Sequence, residues 1–348
     1  MKSILVYAWA DLNKNGQFFK YSYALWRHPV VEWATVLEAD TLGMGFKANV
    51  PWEEYDFAVV FDHDISIGST RLIKTLNPNI KIMTIAEPPP DWLTKRTSFG
   101  FYPKLADDFG LSDIVGVAHE VYLNDWRKTF KIGDKMVWMP TPINIGEHEK
   151  RINMKDRNNY NILASTTHCN FVESSLRSYN VINKTIPFLP SRTPSWKTRC
   201  FYASSTEELK KAGLIYDEAC PFIWNGEEHI KRLNQCKIFV DDNICPASGH
   251  MALEMACLGI PSVGSNDFID HLFPELGIKS IPKISNIEKI ERPPEQVKIL
   301  SDYVLHLAQD EDFYNEMVKK GKERLYKFYS YESCKKRLME TLKSLGIY

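Results

Sequence analysis

Between Ile238 and Asp267 the chain reads IFVDDNICPASGHMALEMACLGIPSVGSND, residue types and spacing from which a binding site can be built. An apolar run ends in Asp241-Asp242-Asn243, a polar loop follows, and Ser248 stands before a helical pattern from Gly249 to Leu258. Ser248 suits the N-cap of that helix. Gly249 lets a ligand come close to the backbone. The N–H groups of Gly249, His250 and Met251 would point at an anion, with the positive end of the helix dipole behind them. Holding a diphosphate requires such an arrangement. Glu254 follows Ser248 by six residues, roughly 9 Å along a helix axis. There a carboxylate can accept from the ribose hydroxyls of a nucleotide whose phosphates sit at the helix start, and His250 can donate to a phosphate. The same residues also read more plainly, with Ser248 capping an ordinary core helix and Glu254 solvated.

A strand before that helix and a sheet around it must position these groups. Apolar runs at Ser3–Ala10, Val36–Glu38, Asp56–Phe61, Lys81–Ala86, Ile114–Ala118 and Lys135–Met139 read as buried parallel strands. Helical patterns at Phe18–Arg27, Ser69–Leu76 and His119–Thr129 alternate with them, which predicts right-handed βαβ units. The charged stretch Ile145–Asn159 marks a domain boundary. Strands are predicted again at Tyr160–Ala164, Thr198–Ala203, Phe222–Trp224, Lys237–Val240 and Ile260–Val263, with a helix at Glu227–Gln235. Gly259 and Pro261 form a helix stop. Helices at Pro294–Gln309, Asp312–Phe328 and Tyr331–Leu345 close the chain. The expected fold is α/β, two Rossmann-like doubly wound parallel-sheet domains over residues 1–150 and 151–348 with C-terminal helices. The final helix is free to pack back on the first domain.

Composition bounds the function. The chain has 348 residues, 44% apolar and 25% charged, enough for two ordinary cores and too apolar for a disordered chain. Forty-three Lys and Arg against 44 Asp and Glu give a net charge of −1, which predicts no whole-protein attraction to nucleic acid or anionic lipid. The seven cysteines show no C-x-x-C spacing and are odd in number, which excludes a disulfide framework or zinc motif by pattern and points to free thiols in a reducing, cytoplasmic setting. The start lacks a signal-peptide pattern, and no run approaches the ~20 apolar residues of a membrane span.

The helix segment resembles the nucleotide-sugar signature of GT-B-fold glycosyltransferases, in particular glycosyltransferase family 4. The resemblance rests on Ser248-Gly249, Glu254, Ala256 and Gly259-Ile260-Pro261-Ser262-Val263. It extends more loosely to LSDIVGVA at 111–118, to MPTPIN at 139–144, to Trp224-Asn225-Gly226 and to the stretch from Phe328 to Leu338. It implies a GT-B fold with an interdomain cleft and transfer of a hexose-like sugar, with retention, from a nucleotide diphosphate sugar such as a UDP or GDP sugar. It implies that sugar nucleotide as co-substrate, with no other cofactor and no metal. Two positions depart from the family. Pro246 stands where a second Glu is usual, with Asp241 and Asp242 the nearest carboxylates. Ser165-Thr166-Thr167-His168 replaces the usual Arg and Lys, so Thr166, Thr167 and Arg199 become the phosphate-side candidates, with Arg177, Lys184, Arg192 and Lys197 as other cations.

By the same resemblance the acceptor belongs on the first domain, at the carboxyl ends of its strands. Asp11–Gly16, Asp62-His63-Asp64 and Glu87 occupy such positions. Catalysis needs help in deprotonating an acceptor hydroxyl and in stabilising the leaving diphosphate. His63 between two carboxylates and Glu87 beside Pro88-Pro89-Pro90 are the catalytic candidates, against a plain solvated loop at 62–64. His119 is a further candidate at the start of its helix. The acceptor is expected to be a glycan or another hydroxyl compound, with nucleic acid disfavoured by the charge balance. Two other functions fit the residues: a GT-B epimerase of nucleotide sugars, and a non-enzymatic two-domain sugar-binding protein.

Overall fold

A computed structural model describes residues 1–6, 19–20, 29–42, 50–62, 68–86, 101–152, 161–165, 191–195, 226–241, 250–265, 267–278 and 294–347. The chain divides into two compact units, Met1–Asn144 with Phe328–Tyr348, and Ile145–Lys327.

The first unit is built on strands β1 (Ser3–Val6), β2 (Phe19–Lys20), β3 (Asp40–Leu42), β4 (Phe57–Asp62), β5 (Lys81–Ala86), β6 (Ile114–Val117) and β7 (Met136–Trp138). Their order in the sheet is β2-β3-β1-β4-β5-β6-β7. All neighbours run parallel except β2, which pairs antiparallel with β3 at the edge. The helices are α1 (Pro29–Leu37), α2 (Ser69–Leu76), α3 (Phe101–Leu111) and α4 (Leu123–Phe130). Alternation along the strands fills two opposite cores. Leu5, Phe57, Val59, Phe61, Met83 and Ile85 pack with Trp33 and Leu37 of α1. Ile4, Val6, Ala58, Val60 and Ile82 pack with Ile73 of α2. A strand buried on both faces can have few polar positions, so β4 and β5 read as nearly unbroken apolar runs, polar only at Asp62, Lys81 and Thr84.

Two expectations fail here. Val36 to Glu38, predicted as a strand, includes the last turn of α1, and the strand follows at β3. Pro29 occupies the first helical position, where its missing N–H costs nothing, and Ala34, Val36 and Leu37 turn inward at helical spacing. Within Phe18–Arg27, predicted as a helix, Phe19 and Lys20 form β2. Pairing with the free edge of β3 overrides the weak helical pattern there.

The second unit has strands β8 (Asn161–Ser165), β9 (Ser191–Ser195), β10 (Ile238–Asp241) and β11 (Ser262–Gly264), all parallel, in the order β11-β10-β8-β9. Its helices are α5 (Ile145–Glu149), α6 (Gly226–Asn234), α7 (His250–Cys257), α8 (Asp267–Leu272), α9 (Pro294–Gln309) and α10 (Glu311–Tyr329), whose last residues belong to the first unit. The strand β9 lies in a stretch read as loop, and the strands predicted at Thr198–Ala203 and Phe222–Trp224 lie outside the described residues. Among the described strands β9 is the outermost of its sheet, a place where Pro194 is tolerated.

After α10 the chain enters α11 (Tyr331–Ser344), capped by Ser330, whose Oγ accepts from the Ser333 N–H at 3.2 Å. Cys334, Leu338 and Leu342 of α11 complete the core shared with α1. The Tyr331 hydroxyl donates to the Glu32 carboxylate, and the Arg337 guanidinium lies 4.4 Å from the centre of the Trp138 ring. Both units are therefore Rossmann-like, doubly wound parallel sheets, and helices close the chain.

Candidate functional site

In each sheet the strand order reverses beside the first strand, and doubly wound proteins hold ligands at the carboxyl ends of the two strands flanking that reversal. In the second unit those strands are β8 and β10, paired through Ile162–Ile238, Leu163–Phe239 and Ala164–Val240. They end at Ser165 and Asp241. The chain leaving β10 reaches α7 at His250, so the positive end of that helix opens on the ligand-binding edge of the sheet.

Local chemistry explains why α7 stands there. Its end is a complete Schellman turn: the Ile260 N–H donates to the Met255 carbonyl at 2.8 Å and the Gly259 N–H to Ala256 at 3.0 Å, with Gly259 at φ +70°. The strand β11 then returns beside β10. Gly264 closes the approach with φ +147°, and a Cβ there would overlap the Asp241 carbonyl. The Ser265 N–H donates to that carbonyl at 3.1 Å.

Met251 to Leu258 are all buried, which makes α7 a core helix on every side. Glu254 is the one charged residue among them, 5% exposed rather than solvated. Its Oε2 lies 2.9 Å from Nε2 of His229, itself 6% exposed on α6. The helix α6 is fastened at both ends. Arg151 donates through Nε and Nη2 to Glu227 Oε1 at 2.9 and 2.7 Å, and Asn234 Nδ2 donates to the Arg151 carbonyl at 2.5 Å. Helix α5 in turn packs on α7. His229 received no role from the sequence. Its signal is its spacing from Leu233, four residues on and buried on the same face of α6, because a histidine on an apolar helix face needs a polar partner.

Of the nucleotide-site candidates, His250 opens α7, Met251 is buried in its first turn, and Glu254 is held by His229. Ser248, Gly249, Thr166, Thr167 and Arg199 lie outside the described residues. Arg192 lies in β9, beside Ile162 of β8.

In the first unit the reversal flanks β1 and β4, which end at Val6 and Asp62. The catalytic candidates His63 and Glu87 lie outside the described residues, as does Asp11–Gly16. In sequence His63 directly follows β4 and Glu87 directly follows β5. His119 follows β6 closely, is buried, and meets the Tyr122 ring edge-on at 6.0 Å. A short 3-10 turn, Glu120–Tyr122, stands where the helix was expected to begin, and α4 follows it.

A buried carboxylate outside the candidates is Asp108 of α3. Its Oδ2 accepts from the Gly68 N–H at 2.5 Å, at the start of α2. Burial pushes its pKa up to about 6 against the opposing pull of the Gly68 and Arg71 backbone N–H groups. Among the described residues no group of three or more His, Cys, Asp or Glu could hold a metal ion. Among them, too, no helix is long and apolar enough to cross a membrane.

No family model matches the sequence, and no curated protein matches it. Solved structures do match in fold. An α-glucosyltransferase in complex with UDP and a 13-mer DNA containing an HMU base superimposes at TM-score 0.63, with 9% identity over 99% of both chains. Anabaena HepE in complex with UDP gives 0.66, with 10% identity over 99% of this chain and 100% of that one. The N-terminal domain of Candida albicans trehalose-6-phosphate phosphatase gives 0.64, with 9% identity over 86% of this chain and 73% of that one. The likeness is to the GT-B architecture of glycosyltransferases.

These structures correct one expectation. A net charge of −1 was read as disfavouring a nucleic-acid acceptor, yet α-glucosyltransferases of this fold are bound to DNA. Net charge sums the whole surface, whereas affinity for DNA depends on the few phosphates a local patch neutralises. The charge balance therefore carries no argument about the acceptor.

Proposed function

We propose that this protein is a glycosyltransferase that holds a nucleotide diphosphate sugar on its second unit and transfers the sugar to an acceptor hydroxyl. The carrying observation is the start of α7 at the carboxyl end of β10, beside the strand reversal, with a buried and anchored Glu254 on the following turn. Support also comes from the GT-B architecture, which the UDP-bound α-glucosyltransferase and HepE share.

In this reading the first turn of α7 neutralises the diphosphate, both in the bound donor and as it departs. Ser248, Gly249 and His250 contact the phosphates, and Thr166, Thr167 and Arg199 are further candidates for the same role. Glu254 accepts from the ribose hydroxyls. Acid–base help for the acceptor comes from His63 or Glu87, which follow β4 and β5 in sequence. No metal or further cofactor takes part. The acceptor is a hydroxyl on a glycan or on a modified base in DNA. The second is included because structures of this fold hold DNA with an HMU base.

The test begins with thermal unfolding of the full chain in UDP and GDP. A ligand that binds the folded state at 100 times its Kd adds about 2.7 kcal/mol of apparent stability. Glu254→Gln is the informative variant. Truncation to Ala would leave His229 facing a cavity and confuse folding with binding. The expected result is a folded Glu254→Gln protein with a weakened nucleotide shift and little transfer from labelled UDP or GDP sugars. Wild-type binding and turnover in that variant would remove the site assignment. Turnover of the donor without acceptor would identify an epimerase, and binding of free sugar without nucleotide a sugar-binding protein.

A further inference from the structure

The His229–Glu254 pair is placed where a core helix ordinarily carries an apolar side chain. Glu254 lies among Met251, Ala252, Leu253, Met255, Ala256 and Cys257, all buried. Burying two ionisable groups adds little stability even when they pair, and an apolar pair of similar volume often does as well. A histidine and a carboxylate 2.9 Å apart do achieve something an apolar pair cannot, which is to fix the rotation of the carboxylate. The His229 ring is itself well fixed, because Arg151 holds α6 near its start through Glu227 and near its end through Asn234. The order of support therefore runs from residue 151 to α6, from α6 to His229, and from His229 to Glu254.

We propose that His229 is a positioning residue that sets the Glu254 carboxylate for the ribose hydroxyls of the nucleotide donor. This inference rests on the donor-site reading above. It makes His229 a determinant of ribose recognition although it need not touch the ligand. Hydrogen bonds between a hydroxyl and a charged group weaken steeply with misalignment, so a carboxylate free to rotate discriminates poorly between a ribose and a deoxyribose.

The experiment is calorimetric titration of the full chain with UDP and with 2′-deoxy-UDP, or with the guanine pair if GDP is the nucleotide that binds. The wild-type protein is expected to prefer the ribonucleotide about 10- to 100-fold, the range for a hydrogen bond to a charged group. In His229→Leu that preference falls towards unity and ribonucleotide affinity drops with it. Gln places an amide nitrogen near the position of Nε2, so His229→Gln retains most of the preference. His229→Asn is too short and loses it. A purely structural role would lower the unfolding temperature of the variants and leave the ribose-to-deoxyribose ratio of the folded protein unchanged, which would overturn the inference. If His229→Leu does not fold, the Gln and Asn variants decide, and equal ratios in the two would overturn it. A wild-type protein that binds neither nucleotide, or shows no ribose preference, overturns the ribose-site reading of Glu254 itself. Nucleotide binding with a wild-type ratio in every His229 variant overturns only the role of His229.

Discussion

At the scale of single residues, burial decides what each carboxylate can do. Glu254 carries a carboxyl group that is buried and paired, so its environment is prepared rather than incidental. Asp108 is the contrasting case. Burial lifts its pKa to about 6, above the ordinary carboxylate value, so between about pH 4 and pH 6 the folded chain holds a proton that the unfolded chain has lost. Its contribution favours folding at acid pH and is lost as the pH rises through about 6. Asp108→Asn should therefore flatten the decline in stability across that interval. At pH 7.5 it should raise stability by on the order of 1–3 kcal/mol, read from urea midpoints at pH 4.5 and 7.5. A wild-type slope in the variant would show that Asp108 does not titrate there.

At the scale of elements, the two glycines around α7 should respond differently to a methyl group. Gly259→Ala keeps room for its Cβ and pays mainly for a left-handed backbone, about 1 kcal/mol. Gly264→Ala drives its Cβ into the Asp241 carbonyl and should separate β11 from β10, with a much larger fall in the urea midpoint. Equal losses in the two would refute the close approach at Gly264. The same elements explain what the sequence makes legible. The strands β4 and β5 are apolar at every position but Asp62, Lys81 and the buried Thr84 because both faces are covered, and α7 is bracketed by local signals, a Ser-Gly start and a Gly-x-Pro stop. The strand β9, SRTPS, carries no such mark, since its pairing with β8 is a tertiary contact that its own residue types do not announce. Pro29 hides the start of α1, and the β-branched Val36 makes its last turn look extended. In the site, the Glu254 position is readable from its distance to a helix start. Its partner is not, because His229 lies 25 residues earlier on another helix and only tertiary folding joins them.

At the scale of the whole molecule, the first unit is made of two pieces of chain. Cys334, Leu338 and Leu342 fill the core against Trp33 and Leu37, and each apolar side chain buried there contributes about 1.5–3 kcal/mol. Removing residues 331–347 should unfold or loosen the first unit and leave the second protected, as hydrogen exchange resolved by segment would show. Uniform protection in the shortened chain would show that α11 is dispensable. The second unit has its own tether between helix and turn: Arg324 forks the Glu275 carboxylate through Nη1 and Nη2, each at 2.7 Å, and the guanidinium holds that carboxyl at about 2. Its folded pKa is depressed, so its contribution is present above the ordinary Glu value and is lost as the pH falls towards 2. Arg324→Lys keeps the charge and loses the fork, and should show an earlier onset of acid unfolding.

The divided first unit also has a consequence for biosynthesis. A nascent chain leaves the ribosome from its amino end, and domains usually fold as they emerge. Here Trp33 and Leu37 must wait for α11, which is translated only after everything from Ile145 to Lys327. The later-made unit can therefore mature first, and the apolar flank of the earlier one stays bare until residues 331–347 have been made. In that interval it is a natural client for a chaperone.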